Sequence, residues 1–147
     1  MFKTDKTKAT GKLTVEIKDK KGNVKETREL ENLVVDTGLA FIASRMKDAT
    51  ATAMSHMGIG TGTVAAASGN TALGTEAARV ALTSTTVTSN AVAYVCSFAA
   101  GTGTGAITEA GILNAASGGT LLCRTVFSVV NKGASDSMTI TWTVTIS

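Results

Sequence analysis

Residues 138–146 read MTITWTVTI and carry the clearest structural pattern in the sequence. Apolar residues occupy every second position, and threonine occupies the four positions between them. A period of two that is held over nine residues predicts a β-strand with one apolar and one polar face. Threonine is β-branched and favours a strand further. Trp142, at the centre of the apolar face, is therefore predicted to lie in the core.

The same period of two appears near the N-terminus. Leu13, Val15 and Ile17 alternate with polar residues as far as the turn sequence DKKGN at residues 19–23. Residues 24–31 then return as a second strand, which predicts a β-hairpin. Two further strands are predicted from residues that share a face: Val92, Tyr94, Cys96 and Phe98 in one, and Leu121, Cys123, Phe127 and Val129 in the other, with Arg124 facing the opposite way.

One helix is predicted, from about residue 37 to residue 47. Asp36 or Thr37 is a suitable N-cap for it. Apolar residues then recur at the i, i+3, i+4 and i+7 positions of one helical face, namely Leu39, Ile42, Ala43 and Met46. We expect this face to pack on a sheet.

Strands at short spacing with glycine-rich connections predict a mainly β fold. The expected architecture is an antiparallel β-sandwich, or a jelly-roll-like domain, with one short α-helix and an N-terminal β-hairpin arm. A length of 147 residues fits one core. We assign residues 1–31 to a basic N-terminal arm and hairpin, and residues 32–147 to a single β-sandwich domain. Within it, residues 64–75 are expected to form a surface excursion or a short helical turn.

The composition limits the cellular context. No apolar run approaches the roughly 20 residues that cross a bilayer, and the first residues lack the apolar core of a signal peptide. The two cysteines, Cys96 and Cys123, have no Cys-x-x-Cys partner. They are predicted to be buried thiols of a protein made in a cytoplasm, without a disulfide or a zinc site.

The net charge of +3 is concentrated in residues 1–32, because the rest of the chain carries five basic and five acidic residues. A basic arm can lie on an acidic protein or on nucleic acid, and a solvated tail explains the same composition equally well. The absence of interleaved aromatic residues disfavours nucleic acid. The predicted partner-binding residues are Lys3, Lys6, Lys8, Lys12, Lys18, Lys20, Lys21, Lys25 and Arg28.

The glycine-rich stretch GIGTGT at residues 58–63 raises the question of phosphate binding. Gly60, Gly62 and Ala65 have the spacing of a dinucleotide-binding fingerprint in its alanine form. That fingerprint requires a following helix, and residues 66–70 (AASGN) are too short and too broken by glycine to form one. The glycines are instead predicted to permit tight backbone near a strand end.

No catalytic, metal or cofactor residue is predicted, and the chain is not expected to be an enzyme. His56 is the only histidine, and no Gly-x-Ser-x-Gly motif occurs, although a Ser-His-Asp arrangement formed in the fold stays open. Glu76 and Glu109 are isolated carboxylates. Each could be a buried general base, but a salt bridge to Arg79 or Arg124 is the more ordinary expectation.

Several segments in a fixed order together resemble a known class. They are NLVVDTGL (32–39), MGIGTGT (57–63), TALGTE (71–76) with Arg79, ITEAGILN (107–114), GGTLL (118–122) followed by Arg124, Phe127, Asn131 and Lys132, and finally TITW (139–142). This order resembles that of small β-rich structural proteins of tailed bacteriophage virions.

The resemblance implies an assembly role without an active site. The favoured expectation is a non-enzymatic capsid cement (decoration) protein on the outer surface of the phage head, which stabilises contacts between major capsid protein subunits. Its partners would be the major capsid protein and copies of itself, without a membrane, after assembly in the host cytoplasm. The alternative is a tail fibre, baseplate or receptor-binding component. The absence of repeats or a coiled-coil stalk favours cement.

Overall fold

The computed structural model describes residues 8–47 and 51–147, which form nine antiparallel strands and one helix. The strands are β1 (Ala9–Lys18), β2 (Val24–Val34), β3 (His56–Gly60), β4 (Glu76–Ala81), β5 (Ser84–Thr88), β6 (Ala91–Phe98), β7 (Gly105–Leu113), β8 (Leu121–Lys132) and β9 (Ser137–Ile146). The helix α1 is Asp36–Ser44 and follows β2. The predicted mainly β class with a single short helix is confirmed.

The strands form one curled sheet in the order β4-β3-β7-β8-β2-β1-β9-β6-β5. The long strand β2 pairs with β1 over most of its length but with β8 only through Leu33 and Val34. The sheet therefore bends at β2 into two halves. β4 and β5, at the two ends of this order, follow each other in the chain, and β4 also contacts β6. This strand order does not confirm a jelly roll.

The alternating pattern of the last strand builds the core as predicted. Met138, Ile140 and Trp142 are fully buried, while the threonines between them face outward with partial or full exposure. Burial of such apolar side chains provides the main favourable free energy of folding. Cys96 and Phe98 on β6 are also fully buried, so the predicted apolar face of that strand is confirmed.

The predicted hairpin is confirmed, and it lies at the centre of the sheet. β1 is hydrogen-bonded to β2 on one side and to β9 on the other, and Leu13 lies opposite both Leu30 and Trp142. Leu13 is only 2% exposed. The boundary placed between residues 31 and 32 falls inside β2. Of the predicted arm, residues 1–7, which include Lys3 and Lys6, lie outside the described residues.

The helix forms near its predicted position, but it packs through a different face. Leu39 is 47% exposed and Met46 is 85% exposed, whereas Gly38 is buried. A Cβ atom at residue 38 would overlap the carbonyl oxygen of Leu122, so glycine lets the helix approach β8 closely. The side of α1 that carries Gly38 therefore faces the sheet. Of the predicted stripe, Ile42 packs against the core, but the prediction was wrong for Leu39, Ala43 and Met46, which are exposed.

The predicted helix cap was also wrong. Val35 occupies the N-cap position, and no side chain caps the helix there. Asp36 lies in the first turn, where a negative charge interacts favourably with the helix dipole. The hydroxyl of Thr37 donates instead to the carbonyl oxygen of Leu121 at 2.8 Å, which ties the helix start to β8.

Two register shifts between β7 and β8 change the faces predicted for β8. Cys123 and Phe127 lie in the main core, but Leu121 belongs to a second small cluster with Val35 and Leu113. Val129 is 45% exposed, and Val130 is buried in its place. Extra residues at bulges shift the alternation of the residues that follow them, and the sequence pattern does not reveal these shifts.

Candidate functional site

A long loop, residues 61–75, connects β3 to β4 and folds back over the outer face of β3, β7 and β8. Its two ends meet, because the N–H of Thr61 donates to the carbonyl oxygen of Thr75 at 2.9 Å. Leu73 is only 8% exposed and lies against Gly58 and Gly111, which are opposite each other on β3 and β7. We call this segment the clamp loop. It contains no helical turn, so the surface excursion predicted for residues 64–75 is confirmed.

The carboxylate of Glu109 on β7 lies beneath the clamp loop and is fully buried. Three backbone N–H groups of the loop donate to it: Gly62 at 3.0 Å, Gly74 at 2.8 Å and Thr75 at 2.6 Å. The guanidinium of Arg124 donates to the same carboxylate at 2.8 and 3.1 Å. A buried carboxylate is stable when several donors replace its hydration, and here five N–H donors do so.

Arg124 on β8 completes the arrangement from the other side. It is 2% exposed, and its remaining donors reach the side-chain oxygen of Asn70 at 2.9 Å and the carbonyl oxygen of Val64 at 3.1 Å. Both acceptors belong to the clamp loop. One ion pair between neighbouring strands therefore fixes the middle of the loop through Arg124 and its two ends through Glu109.

The surroundings of Glu109 set its protonation state. Burial raises the pKa of this carboxyl, but the N–H donors of Thr75, Gly74 and Gly62 together with Arg124 lower it more, so the pKa lies below its ordinary value of 4.5. Glu109 is therefore ionised at neutral pH. A general base needs a pKa near the working pH and access to substrate, and Glu109 has neither.

The glycine-rich stretch serves this carboxylate and does not form a phosphate loop. A Cβ atom on Gly62 would lie 2.6 Å from an oxygen of Glu109, and one on Gly60 would overlap the carbonyl oxygen of Thr75. On the opposite face of β3, Met57 and Ile59 are fully buried in the core. The predicted role of the glycines, tight backbone near a strand end, is confirmed.

Glu76 forms the second expected ion pair, with Arg79 at 2.7 Å. Arg79 also donates to the carbonyl oxygens of Ala115 and Gly118 at 3.0 and 2.8 Å, which fixes the loop between β7 and β8. The expectation that Glu76 and Glu109 form salt bridges with Arg79 and Arg124 is therefore confirmed. Both carboxylates hold loops of the fold.

A buried lysine at the end of β8 is likewise used within the fold. The ammonium of Lys132 donates to the carbonyl oxygens of Ala99 and Asp136 at 2.9 and 2.7 Å. Burial lowers the pKa of Lys132, and the charge of Asp136 opposes this shift. The Asp136 carboxylate itself accepts from Lys25 at 2.9 Å and from the N–H of Gly133 at 2.8 Å.

His56, Cys96 and Cys123 are the remaining side chains with reactive groups that the sequence singled out. His56 pairs through its Nδ1 with the hydroxyl of the adjacent Ser55 at 2.8 Å, and no carboxylate bonds to it among residues 8–47 and 51–147. Both cysteines are free and buried, as predicted, and burial raises the pKa of Cys96 to about 12. Within the same ranges, no three His, Cys, Asp or Glu residues could hold a metal ion together.

Those predicted partner-binding residues that the structure describes, which exclude Lys3 and Lys6, do not form one patch. Lys8 and Lys20 lie beyond opposite ends of β1, a strand of ten residues that is about 30 Å long. Three others pair with acidic side chains: Lys18 with Glu16, Lys25 with Asp136, and Arg28 with Glu26. Lys8, Lys12, Lys20 and Lys21 are exposed.

The basic residues of the turn between β1 and β2 are held in a defined position. The carboxylate of Asp19 accepts from the N–H groups of Lys21 and Asn23, both at 2.9 Å, and Gly22 has the positive φ of 85° that this turn requires. The hydrogen bond from Asn23 is the main reason that the pKa of Asp19 is lowered. We call residues 19–23 the hairpin tip. It presents the exposed Lys20 and Lys21 at one end of the sheet.

No family model matches the chain, and no curated protein or solved structure is significantly similar to it. Among the described residues, no helix is long and apolar enough to span a membrane. The protein is therefore described by its fold and its charges alone. It is a mainly β domain in which buried ionic groups hold the loops in place.

Sequence reasoning considered the partners of Glu109 but missed the clamp loop as a unit. The available signal was the spacing of small residues on three separate segments: Gly58 and Gly60 on β3, Gly62 and Gly74 near the two ends of the loop, and Gly111 on β7. Glycines that face outward from a buried strand indicate that another backbone approaches there. The positions of these glycines do not indicate which segment of the chain approaches them.

Replacing Gly62 with alanine tests the close approach of the loop to Glu109. Gly62→Ala places a methyl group against the buried carboxylate, so we expect a loss of about 1–3 kcal/mol in the free energy of unfolding. Gly69→Ala is the matched control in the same loop, because no atom lies within 4 Å of its added methyl group. It should change stability by less than about 1 kcal/mol. Equal effects in chemical denaturation would contradict this packing.

Acid titration tests the ion pair. Because the pKa of Glu109 is lower in the folded chain than its ordinary value of 4.5, its contribution is fully present above that pH and is lost as the pH falls through the folded pKa. Glu109→Gln leaves Arg124 buried without its partner. We expect it to lower the free energy of unfolding by about 3–5 kcal/mol at neutral pH, and by progressively less in acid.

The control for this titration is Glu76→Gln, which removes a carboxylate from the more exposed pair. We expect it to cost less than about 1 kcal/mol. Other carboxyls with lowered pKa values, Asp19 and Asp136, are present in wild type and variant and so cancel in the difference. A Glu109→Gln effect that stays constant from neutral pH to well below pH 4.5 would rule out the proposed linkage.

Proposed function

We propose that the chain is a non-enzymatic virion structural protein, a capsid cement (decoration) protein that binds the outer surface of a phage head and stabilises contacts between major capsid protein subunits. The observation that carries the proposal is the hairpin tip. Asp19 fixes the turn, so Lys20 and Lys21 project from one end of the sheet without the entropy cost of ordering a free tail. An acidic surface of a shell protein is a suitable partner for them.

The use of the buried charges supports a structural role. Glu109, Arg124 and Lys132 all bond to groups of their own fold. The hydrogen bonds of these ionic groups therefore stabilise loops of the same chain. A protein that must remain rigid on a surface benefits from loops fixed in this way, whereas catalysis requires groups that are free to change protonation state.

The outward face of β9 also supports packing among many copies. It presents Thr139, Thr141, Thr143 and Thr145, and its neighbour β6 presents small or uncharged residues at the paired positions: Ala91, Ala93, Val95 and Ser97. On the other side of β9, β1 places Lys12 and Glu16 beside Thr143 and Thr139, so the uncharged area comprises β9 and β6. An area without charge causes little repulsion between identical neighbours. Such a face is compatible with a dense symmetric array.

The copy number of the chain in purified virions tests the location. We expect a ratio to the major capsid protein near one, or a simple fraction set by shell symmetry, on a quantitative gel. A ratio of a few per cent would instead favour the alternative, a tail fibre, baseplate or receptor-binding component. Absence from virions would contradict both.

The contact itself is tested with charge reversal at the hairpin tip. In co-sedimentation with shells that lack this chain, the Lys20→Glu/Lys21→Glu variant should bind at least about tenfold more weakly, since both cations face the partner. The control, Lys8→Glu/Lys12→Glu, makes the same charge change at the opposite end of β1 and should bind normally. The reverse result would assign the contact to that other end and contradict the role of the tip.

A further inference from the structure

The sheet has one end strand without the features that protect a free edge. β5 (Ser84–Thr88) hydrogen-bonds to β6, and no other strand among the described residues pairs with it. All five residues are exposed, and Val87 is 71% exposed. The opposite end strand, β4, carries the ion pair between Glu76 and Arg79.

Free edges are usually blocked by charged residues, proline or a bulge, because unpaired backbone groups can bind another strand. Residues 82–90, which contain β5, carry no charge, and the chain contains no proline. The pairing of β5 with β6 also runs without a register shift. The strand is rich in threonine and valine, which favour extended backbone. β5 is therefore a regular and uncharged edge that can accept a further strand.

We propose that β5 pairs antiparallel with β5 of a second copy, about a two-fold axis that passes through Thr86. Thr86 is the middle residue of the strand, so the two Thr86 residues would lie opposite each other. Ser84 would then face Thr88 of the second copy. A contact in which the same strand meets itself is isologous, and it closes as a dimer without leading to open fibres. The pairing does not depend on the proposed virion location.

An apolar groove next to β5 supports a second copy as the occupant. Thr85 and Val87 line one side of this groove, which has a volume of about 330 Å³, and Phe41 and Ile42 of α1 line another. In the proposed register, Val87 lies opposite Thr85 of the second copy on the groove side of the sheet. The pairing would thus remove the exposed Val87 from water and join the two grooves.

The size of the contact predicts its strength. Five paired residues bury less than the roughly 1,200 Å² of a standard stable interface. The pairing should therefore be weak in dilute solution and become populated when copies are concentrated. The lack of charge along β5 keeps repulsion between copies low at short range. Covalent trapping is the appropriate assay for such a contact.

The test is disulfide trapping with Thr86→Cys. Directly opposite residues have Cβ atoms close enough to form a disulfide. The native Cys96 and Cys123 are buried and should not compete. Under mild oxidation we expect Thr86→Cys to form dimers at least about tenfold faster than the control Thr27→Cys, which is exposed on the central strand β2. Unchanged Trp142 fluorescence will show that each variant is folded.

The register is tested separately. Ser84→Cys and Thr88→Cys should form mixed dimers with each other but few dimers alone. Thr86→Lys should abolish concentration-dependent association in sedimentation velocity. Equal trapping rates for Thr86→Cys and Thr27→Cys would overturn the proposal. So would trapping of Thr86→Cys only after deletion of residues 1–7, because the edge would then be occupied by the chain's own N-terminal segment.

Discussion

The buried ion pair between Glu109 and Arg124 is the interaction on which the outer face of the sheet depends. Removing two charges from water is costly, and the pair is stable only because further partners complete it. Those partners are three N–H groups, one amide oxygen and one carbonyl oxygen of the clamp loop. The loop in turn keeps water from the pair. Neither would be stable without the other, which explains why glycine is needed at residues 60 and 62.

The consequences of this arrangement reach the rest of the fold. The loop covers β3, β7 and β8, and the N–H of Asp36, at the start of α1, donates to the carbonyl oxygen of Ser68 at 2.8 Å. The helix start is thereby tied to the clamp loop as well as to β8. Among the described residues, no comparable loop covers the other half of the sheet, which consists of β1, β9, β6 and β5. The outward face of β9, β6 and β5 presents small uncharged residues, and β1 adds Lys12 and Glu16 beside it. The two halves therefore suit different tasks: one is closed by its own loop, and the other remains open to neighbours.

Five strands (β1, β2, β6, β8 and β9), the hairpin, the buried thiols and the two ion pairs could be predicted from sequence because each depends on local alternation or on a small number of charged residues. The other four strands were not predicted. The packing face of α1 could not, because one glycine, Gly38, overrides the apolar stripe. The prediction of buried residues from alternation failed in β8 at Val129, because a bulge shifts the alternation there. The central position of β1 depends on its pairing with β9, more than a hundred residues away. Local patterns contain no information about such a pairing.

Amide hydrogen exchange tests whether Glu109 and Arg124 hold the clamp loop closed. We expect the N–H groups of Gly62, Gly74 and Thr75, although they lie in a loop, to exchange as slowly as those of the neighbouring strand β3. The N–H of Gly69, in the exposed part of the same loop, should exchange rapidly. Rapid exchange at all four positions would show that the clamp loop opens readily. Glu109 would then be accessible for binding or chemistry, contrary to a purely structural role.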